Sequence, residues 1–326
     1  MLIEKKNILN TKTGSISQKL RLQIVLFLLI IGVPLFFLGG PGAHGSRSFI
    51  ALWELGHVLF FFLTSWMLCK LTRYRFEGVS VFTIHGIVFL LVLVLGVAVE
   101  GLQMFFYGRS PDPQDILRNQ LGCLIVLAFF ACGKRHLRKK VLFQFQILIF
   151  ILVLLVMIPL GRAVVDECIA LSQFPLLSDF ETPFEVDRWK ENAVFSVSED
   201  VARHGHHSLK VQLTTDTYSG VGLEYFPKKW SNYENLYISV FLPGEGQLEL
   251  VCRVYDSEHN NEYTDRFNKS FLLEKGWNDL VIPFADIENA PIERLLYMNK
   301  IENIKLFVIR QDKEQIIYID HVYLGE

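Results

Sequence analysis

Five cysteines in 326 residues, none at a metal-ligand spacing from another, indicate neither a zinc module nor a disulfide framework. Cys69, Cys123 and Cys132 lie in apolar runs, where a thiol behaves as a small hydrophobe, and only Cys168 and Cys252 fall in the second half. No glycine-rich phosphate loop, dinucleotide fingerprint or nucleic-acid signature is present. Acidic residues are scarce at the start: residues 1–165 carry 17 Lys and Arg against 6 Asp and Glu, while residues 166–326 carry 15 against 28. The formal net charge of −2 is thus the near-cancellation of two dissimilar halves. The acidic second half argues against nucleic acid as a partner.

What the chain has in abundance is hydrocarbon: 51% of residues are hydrophobic and the mean hydropathy is +0.31. A membrane-crossing helix needs roughly 20 mostly apolar residues. Five segments approach that, at about 20–38, 50–69, 81–106, 116–132 and 141–160. Short connections rich in Lys and Arg stay on the cytoplasmic side. The N-terminal tail (Lys5, Lys6, Lys12, Lys19, Arg21), the second connection (Lys70, Arg73, Arg75) and the fourth (Lys134, Arg135, Arg138, Lys139, Lys140) all place the same side inside. The expected organisation is a cytoplasmic tail at 1–19, a five-span all-α membrane bundle at 20–160, a juxtamembrane linker at 161–177 and an extracytoplasmic domain at 178–326. The chain would sit in a bacterial plasma membrane with its N-terminus in the cytoplasm.

Polar side chains interrupt the apolar runs on one side only. With span 3 running outward, Glu100 and Gln103 reach the outer boundary of the hydrocarbon. Arg109 follows in the outer loop, Asp115 is placed to cap span 4, and Asn119 comes one turn deeper. Glu54 and His57 enter the same leaflet on span 2. Ionisable groups inside a membrane face a bundle interior or a wet cavity, so these seven are functional candidates. Pairing of Glu54 with His57 and of Glu100 with Arg109 is the alternative, purely structural account.

The order Glu100-x-x-Gln103, Gly108-Arg109, Asp115-x-x-x-Asn119-x-x-Gly122, preceded by Trp53-Glu54-Leu55-Gly56-His57, resembles VanZ-like membrane proteins over residues 20–133. Leu55 stands where that family often has a basic residue, and Val126 where it often has a second glycine. The resemblance implies a cell-envelope role, the namesake being associated with resistance to the glycopeptide teicoplanin. It implies no settled reaction. The mixed cluster suits a lipid-linked or phosphorylated head group, with Arg109 forking onto phosphate.

After Gly161 the periodicity changes. SLKVQL, LYISVFL, LELVCRVY, NDLVIPF, NIKLFVI and IIYIDHVYL alternate apolar and polar residues between turn signals, which predicts an all-β sandwich. Asp179-Phe180-Glu181, HGHHSLKVQL, GWNDLVIPFADI and the closing IYIDHVYL resemble galactose-binding-type jelly rolls of carbohydrate-binding modules over 178–325. The resemblance implies a structural Ca²⁺ held by Glu181 and Asp320, with Asp179 as a further ligand and carbonyls near Gly205 and Ser208. For glycan, the segment 253–271 offers Asp256, Asn260, Tyr263, Asp265, Arg266 and Asn268, polar groups beside a ring. A long polar hairpin is the plainer account of it. Trp189, Trp230 and Trp277 read as core. The leading expectation is a non-enzymatic envelope protein binding a lipid-linked precursor and a glycan. Alternatives are an enzyme acting on that lipid, and an assembly protein whose β domain docks a protein.

Overall fold

The computed structural model describes residues 20–37, 40, 45–75, 78–106, 112–130, 139–190 and 193–326. The chain divides into two compact units between residues 160 and 161. The first is built of helices: α1 (Leu20–Leu35), α2 (Arg47–Arg75), α3 (Val81–Gln103), α4 (Pro113–Ile125) and the start of α5 (Lys139–Gln173). Three of them, α2, α3 and α5, are long and apolar enough to cross a membrane. Of the five expected spans, the first is a shorter apolar helix. The fourth starts at Pro113 and continues past Ile125 as a π-helical turn, Val126–Phe130.

Local chemistry sets these boundaries. Ser80 caps α3, its Oγ accepting from the Thr83 N–H at 3.1 Å. Asp112, not Asp115, caps α4: its Oδ1 accepts from the Gln114 N–H at 2.8 Å, with Pro113 pre-set for the first helical position. The buried residues of α3 are Ile84, Val88, Val92, Gly96, Glu100 and Gln103, one stripe that turns from apolar to polar at its C-terminal end. The rest of that helix is open, with Leu90 59% and Val94 64% exposed. Helix α4 lies so close to α2 that a Cβ on Gly122 would stand 2.3 Å from the Val58 carbonyl oxygen, an approach only glycine allows.

The second unit is a sandwich of two antiparallel sheets. Its strands are β1 (Leu176–Ser178), β2 (Trp189–Lys190), β3 (Val194–Ser198), β4 (Ser208–Leu213), β5 (Tyr218–Leu223) and β6 (Asn235–Leu242). They continue with β7 (Leu248–Asp256), β8 (Phe267–Leu273), β9 (Gly276–Pro283), β10 (Ile301–Ile309) and β11 (Gln315–Gly325). The six-stranded sheet runs β3-β4-β11-β6-β9 with β1 added to β11, and the five-stranded sheet runs β2-β5-β10-β7-β8. From β4 to β7 successive strands alternate between the sheets, as in a jelly roll. The inward residues of both sheets form one core around Leu209, Ile238, Leu250, Leu306 and Ile319, joined by Trp189 and Trp230. Trp277 is not part of it. It lies half-buried on the outer face of the six-stranded sheet, beside Phe241, because it pairs with Phe241 on the outward register of β9.

Residues 161–173, expected as plain linker, are the last turns of α5. Asp166 there is 1% exposed and takes the Arg188 guanidinium on both oxygens at 2.8–3.0 Å, while Arg188 Nη1 donates to the Leu177 carbonyl at 2.8 Å. Arg188 is itself 1% exposed.

Candidate functional sites

In the helical unit the polar residues gather at one end. Glu54 and His57 lie in the early turns of α2, Glu100 and Gln103 in the last turn of α3, and Asp112 to Asn119 at the start of α4. Of the seven candidates, six fall in this group, and Arg109 lies outside the described residues. The expected Glu100–Arg109 pairing lies outside the described residues, and the Glu54–His57 pairing is replaced by others. Glu54 meets Arg118, not His57, at 2.7 Å. His57 Nδ1 donates to Asn119 Oδ1 at 3.0 Å, and His57 Nε2 lies 3.2 Å from Asp115 Oδ2. Glu100 Oε2 accepts the Asp112 N–H at 3.0 Å. Gln103 donates to the Phe36 carbonyl at 3.0 Å, and the Phe36 ring stands edge-on to His57, centroids 4.8 Å apart.

Arg118 is the residue that sequence reading missed. Its guanidinium collects Glu54, Asp112 and Asp115, organising three carboxylates from two helices. The signal was present in its spacing, three residues beyond Asp115 on one helix face. The tight approach at Gly122 brings Asp115 and Asn119 against His57, and Gly96 on α3 leaves room for the Asn119 amide.

In the sandwich, the segment 253–271 is a β7–β8 hairpin whose loop closes on a cation. Arg294 grips Asp256 with both terminal nitrogens, at 2.6 and 2.8 Å, and Asp265 from Nε. Asp265 also accepts the Asn260 N–H at 2.9 Å, and the Asn260 side chain accepts the Glu262 N–H at 2.8 Å. Asp256, Asp265 and Asn260 therefore hold the loop instead of facing a ligand. Hydrogen bonding from Arg294 holds the Asp265 carboxyl down at about 2, against the opposing effect of burial. Arg294, far along the chain and in an irregular stretch, gave no pattern to read.

The three expected calcium ligands are placed together with the 203–207 segment, which donates N–H groups to them. Asp320 Oδ2 accepts from the N–H groups of Arg203 and His204, and Oδ1 from His321. Glu181 Oε1 accepts from the N–H groups of His206 and His207, both at 2.6 Å. Asp179 meets the Glu181 N–H and His204 Nδ1. Burial raises the Asp179 and Asp320 carboxyls above their ordinary range. Calcium requires six to eight oxygens directed at one point. Here each of the three carboxylates already accepts two or three contacts from backbone N–H groups or imidazole nitrogens.

The outer faces of the sheets differ. On the six-stranded sheet the rings cover one another: Tyr237 stacks on Tyr323 at 4.7 Å, and Arg203 covers Trp277. On the five-stranded sheet a trough runs beside β5. Gly220 lies opposite Phe307 and Gly222 opposite Lys305, so two side chains are missing from that strand's outer face. A Cβ on Gly220 would stand 2.5 Å from Phe307 Cα. The resulting hollow of about 80 Å³ is lined by Tyr218, Gly220, Arg253, Lys305 and Phe307. Arg253 lies over the Phe307 ring at 4.6 Å and donates from Nε to Asn268 Oδ1 at 3.2 Å. Buried Asn268 Nδ2 and Asn303 Oδ1 find no hydrogen-bond partner among the described residues. Asn268 is thus a sequence candidate that reaches this face. Tyr263, 67% exposed with Arg266 over its ring at 5.4 Å, precedes β8 at the same sheet's edge. A larger hollow of about 600 Å³, between Pro243–Glu245 and Lys313–Ile316, carries no ring on which a sugar could stack.

No family model matches this chain, and no curated protein matches it. Among solved structures it is similar to the family 11 carbohydrate-binding module from Clostridium thermocellum in complex with a β-1,3-1,4-mixed-linked tetrasaccharide. That match has 18% identity, covers 46% of this chain and 94% of that one, and has a TM-score of 0.36. It is also similar to a xylan-binding domain of module family 22 (17% identity, 46% and 92% covered, TM-score 0.32). An exo-β-agarase matches at 16% identity over 46% of this chain and 24% of the enzyme, with a TM-score of 0.38.

Proposed function

We propose that this chain is a multi-pass bacterial cell-envelope protein whose β-sandwich binds a linear glycan along the outer face of its five-stranded sheet. The observation that carries the reading is the trough beside Gly220 and Gly222, which sets Tyr218, 53% exposed, next to Arg253, Lys305 and Asn268. A ring offers an apolar face to a sugar, and guanidinium, ammonium and amide groups bond its hydroxyls. The helical unit is its membrane anchor, on the strength of three apolar helices and the basic connections that put the N-terminus inside. The order Glu100, Gln103, Asp115, Asn119 supports the VanZ-like reading of that unit, and with it a lipid-linked head group as ligand and a contribution to glycopeptide resistance.

The test is binding of linear polysaccharides, starting with mixed-linked β-glucan and xylan, to the full chain in detergent. Tyr218→Ala and Arg253→Ala should each weaken binding at least about tenfold, the loss of one stacking or charged contact. Trp277→Ala on the opposite sheet should not. Binding lost with Trp277→Ala and kept with Tyr218→Ala would move the site to the other face. Absence of binding to any glycan would end the reading.

A further inference from the structure

We propose that the helical unit holds a divalent transition-metal ion between His57, Glu100 and Asp115. The inference rests on the helices alone and is independent of the glycan reading. The three residues come from α2, α3 and α4, and one ligand atom of each lies within 4.8 Å of the other two. His57 and Glu100 are 6% and 4% exposed. The 3.2 Å between His57 Nε2 and Asp115 Oδ2 is close to the edge of a metal tetrahedron: two ligands about 2.1 Å from zinc lie about 3.4 Å apart.

The orientation of the imidazole points the same way. Its Nδ1 lies 3.0 Å from Asn119 Oδ1, which turns Nε2 toward the Asp115 carboxylate, where a second ligand of one metal ion would stand. Each ligand also has its own outer partner: Asn119 on His57, Arg118 on Asp115 Oδ1, and the Asp112 N–H on Glu100 Oε2. Such support is what fixes ligands around a metal. Arg118 occupies one Asp115 oxygen and leaves the other toward His57.

Around these ligands stand two further carboxylates, Glu54 and Asp112, and the Arg118 guanidinium. One imidazole with two carboxylates suits zinc, manganese or ferrous iron better than calcium or magnesium. Three protein ligands leave a position for water or for an oxygen of an anionic head group.

The experiment uses the untagged full chain in detergent, carrying His206→Ala and His207→Ala so that the exposed histidine segment does not compete. It is stripped with chelator and titrated calorimetrically with Zn²⁺, and separately with Co²⁺ followed by visible absorption. One equivalent should bind, and the Co²⁺ complex should show ligand-field bands. His57→Ala should abolish binding, and Asn119→Ala, which removes the hydrogen-bond partner of the histidine, should weaken it about 10–100-fold. Glu100→Gln preserves shape and serves as the second ligand variant. Glycan binding should be unchanged in all of them. Lack of saturable metal binding in the parent chain would overturn the proposal. So would full affinity in His57→Ala or Glu100→Gln, which would leave His57 and Asp115 as an ordinary ion pair.

Discussion

The two units differ in how much apolar core they have. In the sandwich, 34 apolar residues form one core, and buried charges such as Asp166 and Arg188 are paired. Among the described residues of the helical unit, the two apolar clusters hold six and three residues. Its large side chains mostly face outward: Phe143 is 61% exposed and Phe150 58%. What it buries instead is polar, His57, Glu100, Gln103, Asn119 and Gln120. A water-soluble unit gains stability by hiding hydrocarbon. A unit in lipid would gain nothing that way and would be held by close backbone packing and interior polar contacts. Gly122 against Val58 and the Arg118 cluster are contacts of that kind.

The contrast can be broken in either unit. The largest effect should come from Arg188→Ala, which removes the guanidinium from buried Asp166 and should cost the sandwich about 3–5 kcal/mol. Melting followed through the buried Trp189 and Trp230 would show it, and the Asp166→Leu/Arg188→Met double variant should recover most of the loss. Next is Gly122→Leu, which should lower the thermal stability of the helical unit by about 3 kcal/mol while leaving the sandwich transition in place. A shift of both transitions together would mean that the units do not behave separately.

Acid should act on the sandwich through the Arg294 clamp. The Asp265 carboxyl lies at about 2 when folded, below its ordinary value. Its contribution is therefore complete above about pH 4 and fades as pH falls toward 2. Asp265→Asn should flatten the acid limb of the stability profile in that window. The smallest effect should be chelation: EDTA should leave sandwich melting unchanged, because backbone N–H groups hold Asp179, Glu181 and Asp320 in place. A fall in melting temperature would return calcium to those residues.

Much of this was legible in residue order. All six alternating segments after Gly161 are strands, since a period of two with turn residues between admits little else. The polar set at one end of α2, α3 and α4 was legible too, because ionisable residues stand out in apolar runs. Partner choice was not. Glu54 and His57 are near in sequence logic, yet Arg118 takes Glu54 and Asn119 takes His57 because Gly122 lets α4 approach α2. The Asp256–Arg294–Asp265 clamp likewise joins groups 29 and 38 positions apart.

Composition and periodicity determined by themselves that an apolar, basic, helical half precedes an acidic β half, since those patterns follow from local backbone geometry and the cost of burying charge. Only the tertiary structure decided which carboxylate meets which cation, and which sheet face lies open. Those outcomes depend on ångström-scale distances between distant segments, which no local rule encodes.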